Sequence, residues 1–156
     1  ASCPNQLTSG HDPDSALRHC EAIKRCCNHP LLIKGGVTTD WDYILPRLRG
    51  MVEAINLNSV PWAVAFPGQK SPLARYGGGG VSGKAAQPHN WPLIKRLQGL
   101  ADIPVIGCSV WEENDMDTLL TDYHVPAIAL GAICLRHPVR ATRMLHNSVM
   151  DQLAVV

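Results

Sequence analysis

Lys34 directly follows an aliphatic run, Leu31-Leu32-Ile33, and polar or small residues close three more: Asn58-Ser59 after Ala54-Ile55-Asn56-Leu57, Gly107-Cys108 after Pro104-Val105-Ile106, and Gly131-Ala132 after Ala127-Ile128-Ala129-Leu130. In parallel α/β folds, ligands bind at the C-terminal ends of strands, so these positions are candidates for a site. Any one of them is equally well explained as a turn residue. Lysine is seldom buried without a partner, which gives Lys34 more weight than the rest. A second candidate is Gly77-Gly78-Gly79-Gly80-Val81-Ser82-Gly83-Lys84, just ahead of a helix starting near Gln87-Pro88. Glycines let the backbone turn and present N–H groups to an anion at a helix start. No Ser or Thr follows Lys84, so the spacing is not that of a Walker loop. A flexible loop fits this run as well as a phosphate site does. Ser2-Cys3-Pro4-Asn5 is the third candidate; taken alone, its thiol reads as incidental.

The 6 cysteines, at positions 3, 20, 26, 27, 108 and 134, form no C-x-x-C pair, and the 7 histidines form no H-x-x-x-H pair. No metal site is therefore expected. Adjacent Cys26-Cys27 suits neither a zinc site nor a local disulfide. Reduced thiols fit a cytoplasmic chain. With 156 residues, 46% of them hydrophobic and 17% charged, the sequence suits one domain spanning residues 1–156 with a sizeable core. A formal net charge of +1 leaves no electrostatic footprint for nucleic acid or an acidic membrane surface. No apolar run approaches the ~18 residues that would mark a bilayer span. The first residues show no charged region followed by an apolar stretch, so no secretory signal is read there. A complete single-chain TIM barrel takes about 200 residues or more, which excludes one here.

The elements that must position these residues follow from periodicity. The four aliphatic runs are continuous rather than alternating, the pattern of parallel strands covered on both faces. Asp12-Pro13 reads as the cap and first position of a helix. Ala16, Cys20, Ile23 and Cys27 form its inward face. Asp40 caps a second helix with Trp41, Ile44, Leu45 and Leu48 inward, although Pro46 removes an interior hydrogen bond. Trp91, Ile94, Leu97 and Leu100 form a third stripe, and Met116, Leu119, Leu120 and Tyr123 a fourth. A last helix after His137-Pro138 carries Val139, Met144, Leu145 and Val149. Regular alternation of helix and strand argues for right-handed βαβ units and a parallel sheet. The connection from Asn58 to Gln87 is long enough to be functional or mobile.

Taken in order, Ser-Cys-Pro-Asn, Asp12-Pro13, Pro30-Leu31-Leu32-Ile33-Lys34, Leu57-Asn58-Ser59, Gly79-Gly80-Val81-Ser82-Gly83, Ile103-Pro104-Val105-Ile106-Gly107 and Leu130-Gly131-Ala132 resemble the dihydroorotate dehydrogenases. The soluble class 1 branch and the related domain of dihydropyrimidine dehydrogenase are most similar, over nearly the whole chain. The resemblance implies an FMN-dependent oxidoreductase of pyrimidine biosynthesis, converting dihydroorotate to orotate. It makes Cys3 the base that takes a proton from the substrate, in its thiolate form. Asn5, Asn58 and Ser59 become substrate-binding residues. Lys34 becomes the cation near the flavin N1–O2 edge. Gly80, Ser82 and Gly83 match the loop approaching the FMN phosphate. Gly107, Gly131 and Ala132 match further strand ends around the flavin.

Departures from the pattern carry their own expectations. The family's phosphate turn reads Gly-x-Gly-Gly-Ile, and here Ser109 and Val110 replace two glycines. A valine with positive φ beside a phosphate would be costly and would weaken FMN binding. Ala132 replaces a threonine of the family pattern. Ser-Cys-Pro-Asn lies at the end of the family's fourth barrel strand, so the resemblance implies a parallel (β/α) half-barrel equivalent to about strands five to eight. Open strand edges invite pairing. The expected partners are a second copy closing the barrel as a homodimer, or a missing N-terminal half. The alternative is a non-catalytic half-barrel that self-associates or binds a phosphorylated ligand, its flavin site eroded.

Overall fold

The computed structural model describes residues 12–57, 59–100 and 102–153. Helix α1 spans Pro13–Cys26, with Asp12 as its cap: the carboxylate accepts from the Asp14 N–H at 3.1 Å. Strand β1, Leu32–Gly35, is followed by α2, Trp41–Leu48, whose cap Asp40 accepts from the Tyr43 N–H. Trp41, Ile44, Leu45 and Leu48 are all buried, and this continuous apolar face holds the helix through Pro46. Strand β2 covers Ala54–Leu57. The later elements are α4 (Gln87–Leu100), β5 (Val105–Ile106), α5 (Glu113–Thr121), α6 (Ala132–Arg136) and α7 (Pro138–Leu153).

The strands β1, β2 and β5 form a parallel sheet in chain order, with Ile33 opposite Ile55 and Ile55 opposite Val105. The fourth expected strand, Ala127–Leu130, contributes a single parallel bridge, Ile128 to Gly107. Two bonds hold it: Gly107 N–H to the Ala127 carbonyl and Ala129 N–H to the Gly107 carbonyl, both 2.8 Å. The fold is thus mixed α/β, and the sheet does not close into a barrel.

Among the described residues, the second face of the sheet is left open at β1 and only partly covered at β2. Along β1 the side chains alternate exposed and buried, while along β2 they alternate half-buried and buried. Ile33, Ile55, Leu57 and Val105 enter one core with residues of α1, α2, α4, α5, α6 and α7. On the other face Leu32 is 53% exposed and Lys34 is exposed as well. The run Leu31-Leu32-Ile33 is continuous although Leu32 lies exposed, so continuity here does not mark burial on both faces. Lys34 is therefore no buried lysine.

Several helical faces are rotated from the expected stripes. Leu17 rather than Ile23 is buried on α1, Leu93 rather than Leu100 on α4, and Ala141 with Met144 on α7, where Val139 and Leu145 are exposed. The long connection is also structured. It holds β3 (Val60–Pro61), the short α3 (Trp62–Ala65), a 3-10 turn at Ala74–Tyr76, β4 (Gly80–Val81) and a 3-10 turn at Gly83–Ala86. β3 and β4 pair antiparallel, Val60 opposite Val81.

Candidate strand-end site

A pocket of about 140 Å³ opens at the C-terminal ends of the parallel strands. Lys34 from β1, Asn56 and Leu57 from β2, and Ser59 just beyond β2 form one side. Ser82 and Gly83, the turn Cys108-Ser109-Val110 after β5, and the segment Ala129 to Ala132 form the rest. Hydroxyls, a lysine and glycine-rich backbone converge there, which suits an anionic group.

Gly83 is required at its position. Its φ is +72°, and a Cβ there would lie 2.8 Å from the Trp111 ring. Gly107 is also crowded, since a Cβ would meet Val125 at 3.0 Å.

The turn after β5 is held by side chains from two helices. Gln87, at the start of α4, donates to the Ser109 carbonyl at 3.0 Å and to the Asp115 carboxylate at 2.7 Å. That carboxylate oxygen also accepts from the Trp111 and Glu112 N–H groups, and Asp115 with Glu112 forms the capping box of α5. Buried Asn90 donates to the Ser109 hydroxyl at 3.0 Å, and the Trp91 indole donates to the Cys108 carbonyl at 3.0 Å. This support holds Ser109 at φ 64°, the left-handed conformation that glycine adopts freely. Val110 is not in that conformation, so the expected valine strain falls on Ser109 instead. Left-handed backbone costs a non-glycine residue about 1–2 kcal/mol.

Burial pushes the Cys108 thiol above its ordinary value of 9.0, against the opposing pull of the Ser109 hydrogen bond, Lys34 and Asn90. Cys108 is therefore a neutral thiol at neutral pH, a lining group rather than a nucleophile. Asn56 Oδ1 is buried and accepts no hydrogen bond among the described residues. A buried acceptor left so is costly unless a ligand or water donates to it.

Of the residues singled out in the sequence, Lys34, Ser59, Ser82, Gly83, Gly131 and Ala132 line this pocket together. Gly80 and Gly107 do not line it. Gly80 pairs with Pro61 in the antiparallel ribbon, and Gly107 sits within the sheet ladder. The glycines ahead of Gly80 serve a different turn: Gly77, Gly78 and Gly79 all have positive φ, and Gly78 N–H bonds the Leu73 carbonyl. Cys3, Asn5 and Asn58 lie outside the described residues. The turn Cys108-Ser109-Val110, expected from the resemblance at the phosphate position, also lines the pocket, whereas Asn56 was not among the candidates. Asn56 stands inside an aliphatic run, and that polar interruption is the one signal by which sequence could have found it.

The residues present fit one end of a phosphate-bearing ligand or flavin: Lys34 for negative charge, Ser59 and Ser82 for hydroxyl contacts, Asn56 Oδ1 for an N–H. The pocket volume is below the ~300–1,000 Å³ usual for small-molecule sites, so such a ligand would extend past these walls. No protein-family model matches the chain, and no curated protein sequence matches it.

Proposed function

We propose that the chain is a dihydroorotate dehydrogenase-like (β/α) half-barrel, equivalent to about strands five to eight, forming one side of an FMN site for the oxidation of dihydroorotate to orotate. The observation that carries this reading is the meeting of Lys34, Ser59, Ser82, Gly83, Gly131 and Ala132 in one strand-end pocket. Those residues come from four separate segments, and the family resemblance had named each of them. Parallel strands in chain order, with one face of β1 exposed, support the half-barrel part. Lys34 and the two serines hold the cofactor's anionic and polar edges, and bound FMN supplies a hydride acceptor. Cys3 takes the substrate proton, and Asn5 and Asn58 hold the pyrimidine; these three roles rest on the resemblance alone. We infer a second wall, from another copy of the chain or from an N-terminal half, because the pocket is too small to enclose a flavin. With five free thiols among the described residues, at Cys20, Cys26, Cys27, Cys108 and Cys134, we place its work in the reducing cytoplasm.

Ser109 favours a second reading. A serine held at φ 64° in the phosphate turn is what erosion of a flavin site leaves, and a non-catalytic half-barrel binding a phosphorylated ligand fits it. Reconstitution separates the two. The purified protein is incubated with FMN, desalted, and scanned for flavin absorbance. Retained flavin that dihydroorotate bleaches, and that Cys3→Ala leaves unbleached, supports the enzyme. A colourless protein sinks the flavin reading.

A further inference from the structure

A cavity of about 570 Å³ lies between the start of α5 and the α6–α7 corner, and it shares no lining residue with the strand-end pocket. Three arginines line it: Arg136 at the end of α6, and Arg140 and Arg143 one turn apart on α7. His137 lies between them at the corner. Among the described residues, none of the three guanidiniums makes an ion pair. The one carboxylate in the lining, Glu113, is engaged instead by the Asn147 amide, 2.7 Å away. Nearby Lys84 feels the field of Arg140 and is itself held by Glu112 at 2.8 Å. Like charges gathered around one concavity repel each other, and that cost is recovered only by an anion.

We propose that this groove is a binding site for a small molecule carrying two or more linked phosphoryl groups. The size falls within the range of small-molecule sites. Guanidinium forks match phosphate oxygens two at a time, and three of them spread round one groove suit the larger charge and oxygen count of linked phosphoryl groups. Val139, 72% exposed, and Met144 give the groove an apolar side for the body of such a ligand. The corner also touches the other pocket's wall: the His137 ring packs edge-on against Trp111 at 5.5 Å, and Trp111 is the ring that lies over Gly83.

Sodium tripolyphosphate is the probe, titrated calorimetrically into the full chain at physiological salt. The expected result is saturable binding of one equivalent. Arg140→Gln and Arg143→Gln should each weaken it about tenfold, the loss of one charge-assisted contact. Arg75→Gln, on the distant 3-10 turn, should leave it unchanged. Should the variants fold poorly, the unaltered protein still decides. Tripolyphosphate should shield Arg136, Arg140 and Arg143 from phenylglyoxal, read by mass spectrometry. Absent saturable binding, equal binding by the Arg140→Gln/Arg143→Gln double variant, or no shielding would overturn the proposal. Tighter binding of poly-glutamate than of tripolyphosphate would overturn it too, by making the groove a protein-docking surface.

Discussion

Gly83 carries two demands at once, a left-handed backbone and space under the Trp111 ring. Gly83→Ala is expected to lose about 2 kcal/mol of stability, because strain and overpacking add. Chemical denaturation followed by tryptophan fluorescence would measure it, and an unchanged midpoint would contradict the geometry. Cys108 gives the opposite kind of expectation. Its thiol is buried and pushed above 9.0, so it should resist iodoacetamide at pH 7.5 while exposed Cys26 and Cys134 are alkylated. Peptide mapping after a timed reaction reads the order directly, and early labelling of Cys108 would refute its burial. Raising the pH toward that elevated value should narrow the difference, since the thiolate is the reacting form.

The turn after β5 owes its shape to helices on either side of it, so its weak point is a clamp. One carboxylate, Asp115, meets the Gln87 amide and the Trp111 and Glu112 N–H groups. Asp115→Ala should cost about 2 kcal/mol, from a lost cap and unsatisfied donors. A melting temperature equal to the parent's would show that water replaces the clamp without cost. Glu53 ties α1 to β1 by accepting from Lys24 at 2.7 Å and from the Leu31 N–H. Chiefly through the Lys24 hydrogen bond, its carboxyl is held below the ordinary 4.5. A lowered folded-state value contributes stability above 4.5 that is lost as pH falls through the folded value. Glu53→Gln should therefore be less stable than the parent at pH 7, with the gap closing below pH 4.5; a constant gap would reject the linkage. Much of this layer was legible in the sequence. Asp12 and Asp40 cap their helices through short-range chemistry, and the aliphatic runs mark the strands because apolar strand residues stand out locally. The Gln87 and Asn90 contacts to Ser109 were not legible, since they join residues brought together only by the fold. The exposed face of β1 followed only from the half-barrel resemblance, because in the residue pattern a strand awaiting a partner and a strand already covered look the same.

At the scale of the molecule, the dominant fact is the exposed face of β1 beside an unpaired edge among the described residues. Leu32 and Lys34 look away from the core, and Leu135 on α6 is 90% exposed. The outer edges of β1 and of the Ile128 segment carry no strand partner among the described residues. Unpaired edges and exposed aliphatics promote association. Light scattering over a concentration series should show a mass above that of one chain, and Leu32→Lys, placing charge on the bare face, should reduce it. A constant single-chain mass would reject self-association through this face.

Strands that pair in the order of their synthesis have a consequence for how the chain acquires its shape. β2 docks on a β1 already made, and β5 then docks on the free edge of β2, so no pairing within the parallel sheet waits for a later strand to slip between earlier ones. Loop closures stay local, and folding can track elongation at the ribosome. The segment around Ile128 joins last and by a single bridge, leaving the growing end as the part most open to a newcomer.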